Sequence, residues 1–136
     1  GKLHYYSFFD HRAGDGWRAN SRFYTNNAFG TVTYKFTPRF SLTAEVMHSH
    51  SRMQQPGGLT DSLLKADARQ SVRSRNWMDI RWLTAALIAN YQVSEKTRIN
   101  TKLFLTSGDR NSVGFFPSNG LLTPDTILAS TRAYAP

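Results

Sequence analysis

At 136 residues the chain has the length of one domain, and its 17 basic against 9 acidic residues leave a formal charge of +8. The absence of cysteine excludes a disulfide framework and any cysteine-based metal site, and no apolar run reaches the ~20 residues of a membrane helix. A basic excess calls for an anionic partner, and twelve arginines against five lysines favour planar recognition of carboxylate or phosphate over plain charge attraction.

In chain order, residues 3–10 read as a strand rich in aromatics (Tyr5, Tyr6, Phe8, Phe9), whose facing stays open because both parities carry rings. Residues 11–27 read as a loop, with Gly14-Asp15-Gly16 supplying turn residues. In the strand 28–36, Val32, Tyr34 and Phe36 alternate with Thr31, Thr33 and Lys35. A short turn, Thr37-Pro38-Arg39, leads into a strand from Phe40 to about His50, where Leu42, Ala44 and Val46 alternate with Thr43 and Glu45. A long polar stretch follows, roughly 51–79. Within it, residues 62–69 fit a short helix capped by Asp61 as well as they fit irregular loop. The strand 81–93 alternates Leu87, Ala89, Tyr91 and Val93 with Ile88, Asn90 and Gln92. The turn Ser94-Glu95-Lys96 leads into a last strand, 97–106, where Ile99, Leu103 and Leu105 alternate with Asn100, Lys102 and Thr106. From Gly108 onward the breakers Gly114, Pro117, Gly120 and Pro124 read as loop.

Strict two-residue alternation makes the chain all-β, and connections that run long, short, long, short, long are the pattern of part of a transmembrane antiparallel up-and-down β-barrel. It would have about five strands, long external loops and short periplasmic turns. Phe36, Phe40 and Tyr91 beside the short turns fit an interfacial aromatic girdle. Val32, Tyr34, Phe36, Leu42, Val46, Leu87, Ala89 and Tyr91 are expected on the lipid side, and Thr33, Lys35, Thr43, Glu45, Asn90 and Lys102 toward the lumen. Membrane barrels close with about eight strands or more, so residues 1–136 are expected to be a fragment of a larger barrel. An ordinary sheet in water, with the strand-end aromatics as core, is the plainer alternative.

Two motifs add a resemblance. Gln54-Gln55-Pro56-Gly57-Gly58-Leu59-Thr60-Asp61, followed by Asp67-Ala68-Arg69-Gln70-Ser71-Val72-Arg73-Ser74-Arg75-Asn76-Trp77, resembles a loop of TonB-dependent outer-membrane receptors, nearest to the ferric dicitrate receptor branch. His11-Arg12-Ala13-Gly14-Asp15-Gly16-Trp17-Arg18 resembles the loop one hairpin earlier in the same receptors. The likeness covers about residues 3–116. It implies a barrel of about 22 strands around a plug domain, a location in the bacterial outer membrane, and TonB-energised uptake of a ferric chelate (a siderophore or ferric citrate) or a similar scarce nutrient. No plug and no TonB box can be recognised in this sequence, so coupling to the TonB complex would pass through a domain outside it. The expected partners are the anionic chelate, the remainder of the barrel, and outer-membrane lipid with lipopolysaccharide; nucleic acid is not among them.

By motif position the resemblance marks Arg73 as the first ligand-binding residue, with Arg69 and Arg75 behind it, because guanidinium grips carboxylates in a bidentate way. The plainer role for each of them is pairing with Asp67 or Asp79, or with lipopolysaccharide phosphate. Gln54 and Gln55 could hydrogen-bond a ligand or be ordinary loop, Pro56-Gly57-Gly58 shapes the loop, and Trp77 and Trp82 suit a ligand mouth or an interfacial belt. His48 and His50 have metal-ligand spacing, but no carboxylate stands at an obvious third position, so no metal site is expected. No cofactor is implied. No spacing singles out a nucleophile and a base, so the chain is not expected to be an enzyme. The rival functions are a basic β-domain in water that binds nucleic acid through its aromatics and arginines, and a passive outer-membrane porin, which would not need the arginine-rich loop.

Overall fold

The computed structural model describes residues 1–114. Five strands, β1 (Leu3–Gly14), β2 (Phe23–Thr37), β3 (Phe40–Gln54), β4 (Trp77–Gln92) and β5 (Arg98–Val113), form one open antiparallel sheet in the order β1-β2-β3-β4-β5, an up-and-down meander. One short helix, α1 (Asp61–Ala66), lies between β3 and β4. The chain divides into two compact units. The first contains Gly1–His11, Asn26–His50 and Arg81–Asp109; the second contains Arg12–Thr25, Ser51–Ile80 and the chain from Arg110.

In the first unit the ladders hold one register each. β1 pairs with β2 through Lys35 N–H to Lys2 O (2.8 Å) and His11 Nδ1 with Asn26 Oδ1 (2.6 Å). The β2–β3 pairs are Phe36 with Phe40 (ring centroids 5.4 Å), Thr33 with Thr43 (2.8 Å) and Asn27 with Ser49 (2.7 Å). Gln92 N–H to Arg39 O and the Phe40–Tyr91 ring contact set β3 against β4, and Asn90–Asn100 sets β4 against β5. Every step along one strand is matched by a step along its neighbour, and because side chains alternate between faces, these registers sort the whole unit into two surfaces.

One surface is apolar. Its cross-strand rows run from Phe36–Phe40–Tyr91–Ile99 through Tyr34–Leu42–Ala89 and Val32–Ala44–Leu87–Leu103 to Val46–Ala85–Leu105. Little covers it: Tyr5 is 78% and Phe9 69% exposed, and Val32, Val46 and Leu103 are exposed as well. The opposite surface carries the Thr33–Thr43 and Asn90–Asn100 hydrogen bonds, and alternation adds Lys35, Glu45 and Lys102 to it. The aromatic strand β1 contributes to both: Tyr5 and Phe9 share parity with the apolar surface, while on the polar one Phe8 stacks on Phe29 and Tyr6 packs tilted against both.

Every strand is longer than its apolar alternation. β1 runs to Gly14, β2 begins at Phe23, β3 continues to Gln54, β4 begins at Trp77 and β5 reaches Val113. The added ends mix polar and apolar side chains without a two-residue alternation, so they carry no strand signal in hydropathy. The backbone ladder continues regardless, with Thr25–Ser51 (3.1 Å) and the Arg52–Asp79 ion pair (3.5 Å) set across it. The breakers Pro117, Gly120 and Pro124 lie outside the described residues.

Candidate ligand cleft in the loop unit

The second unit is built by its loops. Residues 15–22 fold back through two left-handed positions, Gly16 (φ 72°) and Asn20 (φ 55°). A Cβ on Gly16 would stand 2.6 Å from Ser21 Cβ, so the tight turn admits glycine alone. Arg18 then fastens this loop to the next one. Its Nη1 donates to Gly57 O (2.9 Å), and its Nε and Nη2 donate to Gln70 O (3.2 and 2.9 Å). Ala19 N–H to Arg69 O (2.9 Å) and Asn20 Nδ2–H to Ser71 Oγ (3.1 Å) extend the seam. Arg69 closes it from the other side, donating Nε–H to Trp17 O (3.0 Å) with its guanidinium 6.0 Å from the Trp17 ring centroid.

The facing segment is shaped by its own polar groups. Thr60, not Asp61, caps α1, accepting from Leu63 N–H at 3.3 Å, while Asp61 sits in the first turn, where a negative charge suits the helix dipole. Gln70 Nε2 donates to Leu63 O (2.6 Å) and Ser71 Oγ donates to Pro56 O (3.1 Å). Gly57 is left-handed (φ 78°), and a Cβ there would come 2.7 Å from Arg73 Cγ. The Pro-Gly-Gly sequence thus lets the backbone close directly over Arg73.

A cleft of about 860 Å³ opens within this unit. Trp17, Tyr24 and Trp77 give it aromatic walls, while Arg22, Gln54 and Arg69 give it polar groups. Trp17 is 61% exposed. Arg22 Nε meets Asp15 Oδ1 at 3.1 Å, but both side chains stand in solvent, so the pair is weak and either partner can turn to a ligand.

Of the residues expected from sequence to bind ligand, Arg69 and Gln54 line this cleft together, whereas Gln55, Arg73 and Arg75 do not. Gln54 also continues the β2–β3 ladder through Arg22, its N–H donating to Arg22 O (2.8 Å) and its Oε1 accepting from Arg22 N–H (3.1 Å). Gln55 N–H donates to Asn76 O (2.9 Å). Arg73 is only 5% exposed and donates Nη1–H to Val72 O at 3.0 Å, a position beneath the Gly57 turn and away from the cleft. Arg75 is half-buried. Trp77 lines the cleft, and its ring lies 5.9 Å from the Arg52 guanidinium. Trp17, Arg18, Arg22 and Tyr24 were not singled out as site residues. The available signal was an arginine and a tryptophan directly behind the Gly14-Asp15-Gly16 turn.

Comparison with protein-family models, curated proteins and solved structures gives no match.

Proposed function

We propose that this chain is a wall segment of a TonB-energised outer-membrane receptor barrel, and that its loop cleft receives an anionic nutrient chelate such as a ferric siderophore or ferric citrate. The observation that carries the reading is the two-surfaced sheet of the first unit. In water, so broad an uncovered apolar face opposite a polar one would be an aggregation hazard. Against lipid it is the expected finish of a barrel wall. From Leu83 to Tyr91, at ~3.4 Å per residue, the apolar positions run roughly 27 Å along the strand, or about 20 Å across a bilayer once tilted by ~40°, against an apolar band of ~25 Å in such barrels. The stacked Phe36 and Phe40 rings, with Tyr91 edge-on to Phe40, mark its turn-side border. The open edges of β1 and β5 then pair with the remainder of the barrel, because unpaired backbone is costly in lipid.

In this reading Arg69 and Arg22 meet the anion and the aromatic walls of the cleft exclude water beside it, while Arg73 holds the loop from below. The test is uptake of radiolabelled ferric citrate and of ferric siderophores by cells carrying the full protein. Arg69→Ala should lower apparent affinity roughly ten-fold, as for loss of one charge-assisted contact. Arg39→Ala, in a short turn of the first unit, should change nothing. Equal values for the two variants would remove the cleft from the transport path.

A further inference from the structure

At the turn end of the first unit, the polar surface gathers hydrogen-bond donors and cations without a matching anion. Gln92 N–H to Arg39 O and the Asn90–Asn100 hydrogen bond fix the register there. Arg39, Gln92 and Arg98 fall in one row across β3, β4 and β5, and Lys35, Ser41 and Asn90 fall in the next. Neighbouring strands lie ~4.8 Å apart, so the Arg39 and Arg98 backbones stand roughly 10 Å from each other with Gln92 between them. These six side chains line one pocket of about 310 Å³. The three cations are exposed, while Ser41, Asn90 and Gln92 are half-buried. Asn90 Oδ1 accepts from Asn100 Nδ2 (2.6 Å), which leaves the Asn90 Nδ2 hydrogens for a ligand. Among the described residues, no carboxylate pairs with Lys35, Arg39 or Arg98, and Glu95 in the adjoining turn makes no ion pair. Glu45 lies two rows further along the surface.

We propose that this pocket binds a diphosphate group, free or esterified: the Arg39 and Arg98 guanidinium forks grip it from two sides, Lys35 adds a third charge, and Ser41, Asn90 and Gln92 donate from between. Three features select this chemistry. Two linked phosphoryl groups carry about three negative charges near neutral pH, matching the three cations. Every polar side chain lining the pocket can donate, and three of them can only donate, so an oxyanion satisfies them all. A single planar carboxylate presents two oxygens to one fork, whereas two linked tetrahedra present oxygens to forks on opposite sides. The pocket shares no residue with the loop cleft and does not rest on the membrane reading, so either can fail without the other.

The experiment is isothermal titration of the full protein, in micelles of a zwitterionic detergent, with inorganic pyrophosphate, ADP and citrate at one fixed ionic strength, because screening alters all charge attraction. Saturable one-to-one binding of pyrophosphate is expected, at least ten-fold tighter than citrate. Equal binding of ADP would assign the pocket to an esterified diphosphate, and binding of pyrophosphate alone to the free anion. Arg98→Ala and Lys35→Gln should each weaken pyrophosphate binding roughly ten-fold, the scale of one charge-assisted contact, and Arg98→Lys should restore only part. Arg39→Ala should act likewise on pyrophosphate and spare chelate uptake. Lys102→Gln, which removes the same charge from the same surface outside the pocket, should change affinity less than two-fold. Circular dichroism of each variant establishes that the strands remain. Absence of pyrophosphate binding, equal affinity for citrate, or equal weakening by Lys102→Gln would overturn the proposal and assign the cations to diffuse attraction of acidic polypeptide.

Discussion

The two units of this chain are held together by different physics. In the first, strands of fixed register carry a two-residue hydropathy code, and order comes from ladders plus one broad apolar surface. In the second, only Val72 and Arg73 count as buried among the described residues, and order comes from arginine and amide side chains bonded to loop carbonyls. A sheet surface tolerates many substitutions that keep its parity. A loop seam resting on a few guanidinium contacts does not, and its left-handed glycines cannot be replaced without strain.

The largest effect should come from putting charge on the apolar surface. Leu87→Arg at mid-strand should destabilise the sheet in a bilayer by about 2–4 kcal/mol, whereas Thr43→Arg on the other surface should cost far less; urea titration in lipid vesicles separates the two. Next is Arg18→Ala, which removes three donors from Gly57 O and Gln70 O. A loss of about 1–3 kcal/mol is expected, read as faster amide exchange in 15–22 and 55–72 with exchange in the first unit unchanged. Arg18→Lys should restore only part, because an ammonium cannot span both carbonyls. Gly57→Ala should cost about 1–2 kcal/mol in the same exchange assay, from the left-handed backbone and the collision with Arg73. The smallest effect belongs to the solvent-exposed Asp15–Arg22 pair. Asp15→Asn should shift stability by no more than about 0.5 kcal/mol, and a larger loss would mean that charge pairing, not carbonyl capture by arginine, organises the loop unit.

The same contrast explains what could be read in advance. Val32-Thr33-Tyr34-Lys35-Phe36 and its counterparts display their facing directly, so strand order, turn positions and the division into two surfaces were legible. The strand ends were not, because pairs such as Thr25–Ser51 and Arg52–Asp79 stabilise a ladder without alternating in hydropathy. Helix α1 was half legible: leucines behind a capping residue suggest it, but the choice of Thr60 over Asp61 as cap is settled by local backbone angles. In the candidate site, Arg69 and Gln54 were two of five residues named from the sequence, and both line one cleft. The burial of Arg73 was not legible, because it follows from Gly57 adopting a left-handed angle well before it in the loop, across helix α1. Nor was the bridging role of Arg18, which depends on two carbonyls far away in sequence.

The central claim is that one surface of the sheet meets lipid and the other an aqueous lumen. Because the chain has no cysteine, single cysteines report without background. Val32→Cys, Val46→Cys and Leu87→Cys should resist a membrane-impermeant maleimide in intact outer membranes, while Thr33→Cys, Thr43→Cys and Asn90→Cys should react with it. Equal maleimide reaction across both sets, or protection of the threonine and asparagine positions with reaction at Val32, Val46 and Leu87, would contradict the barrel-wall account.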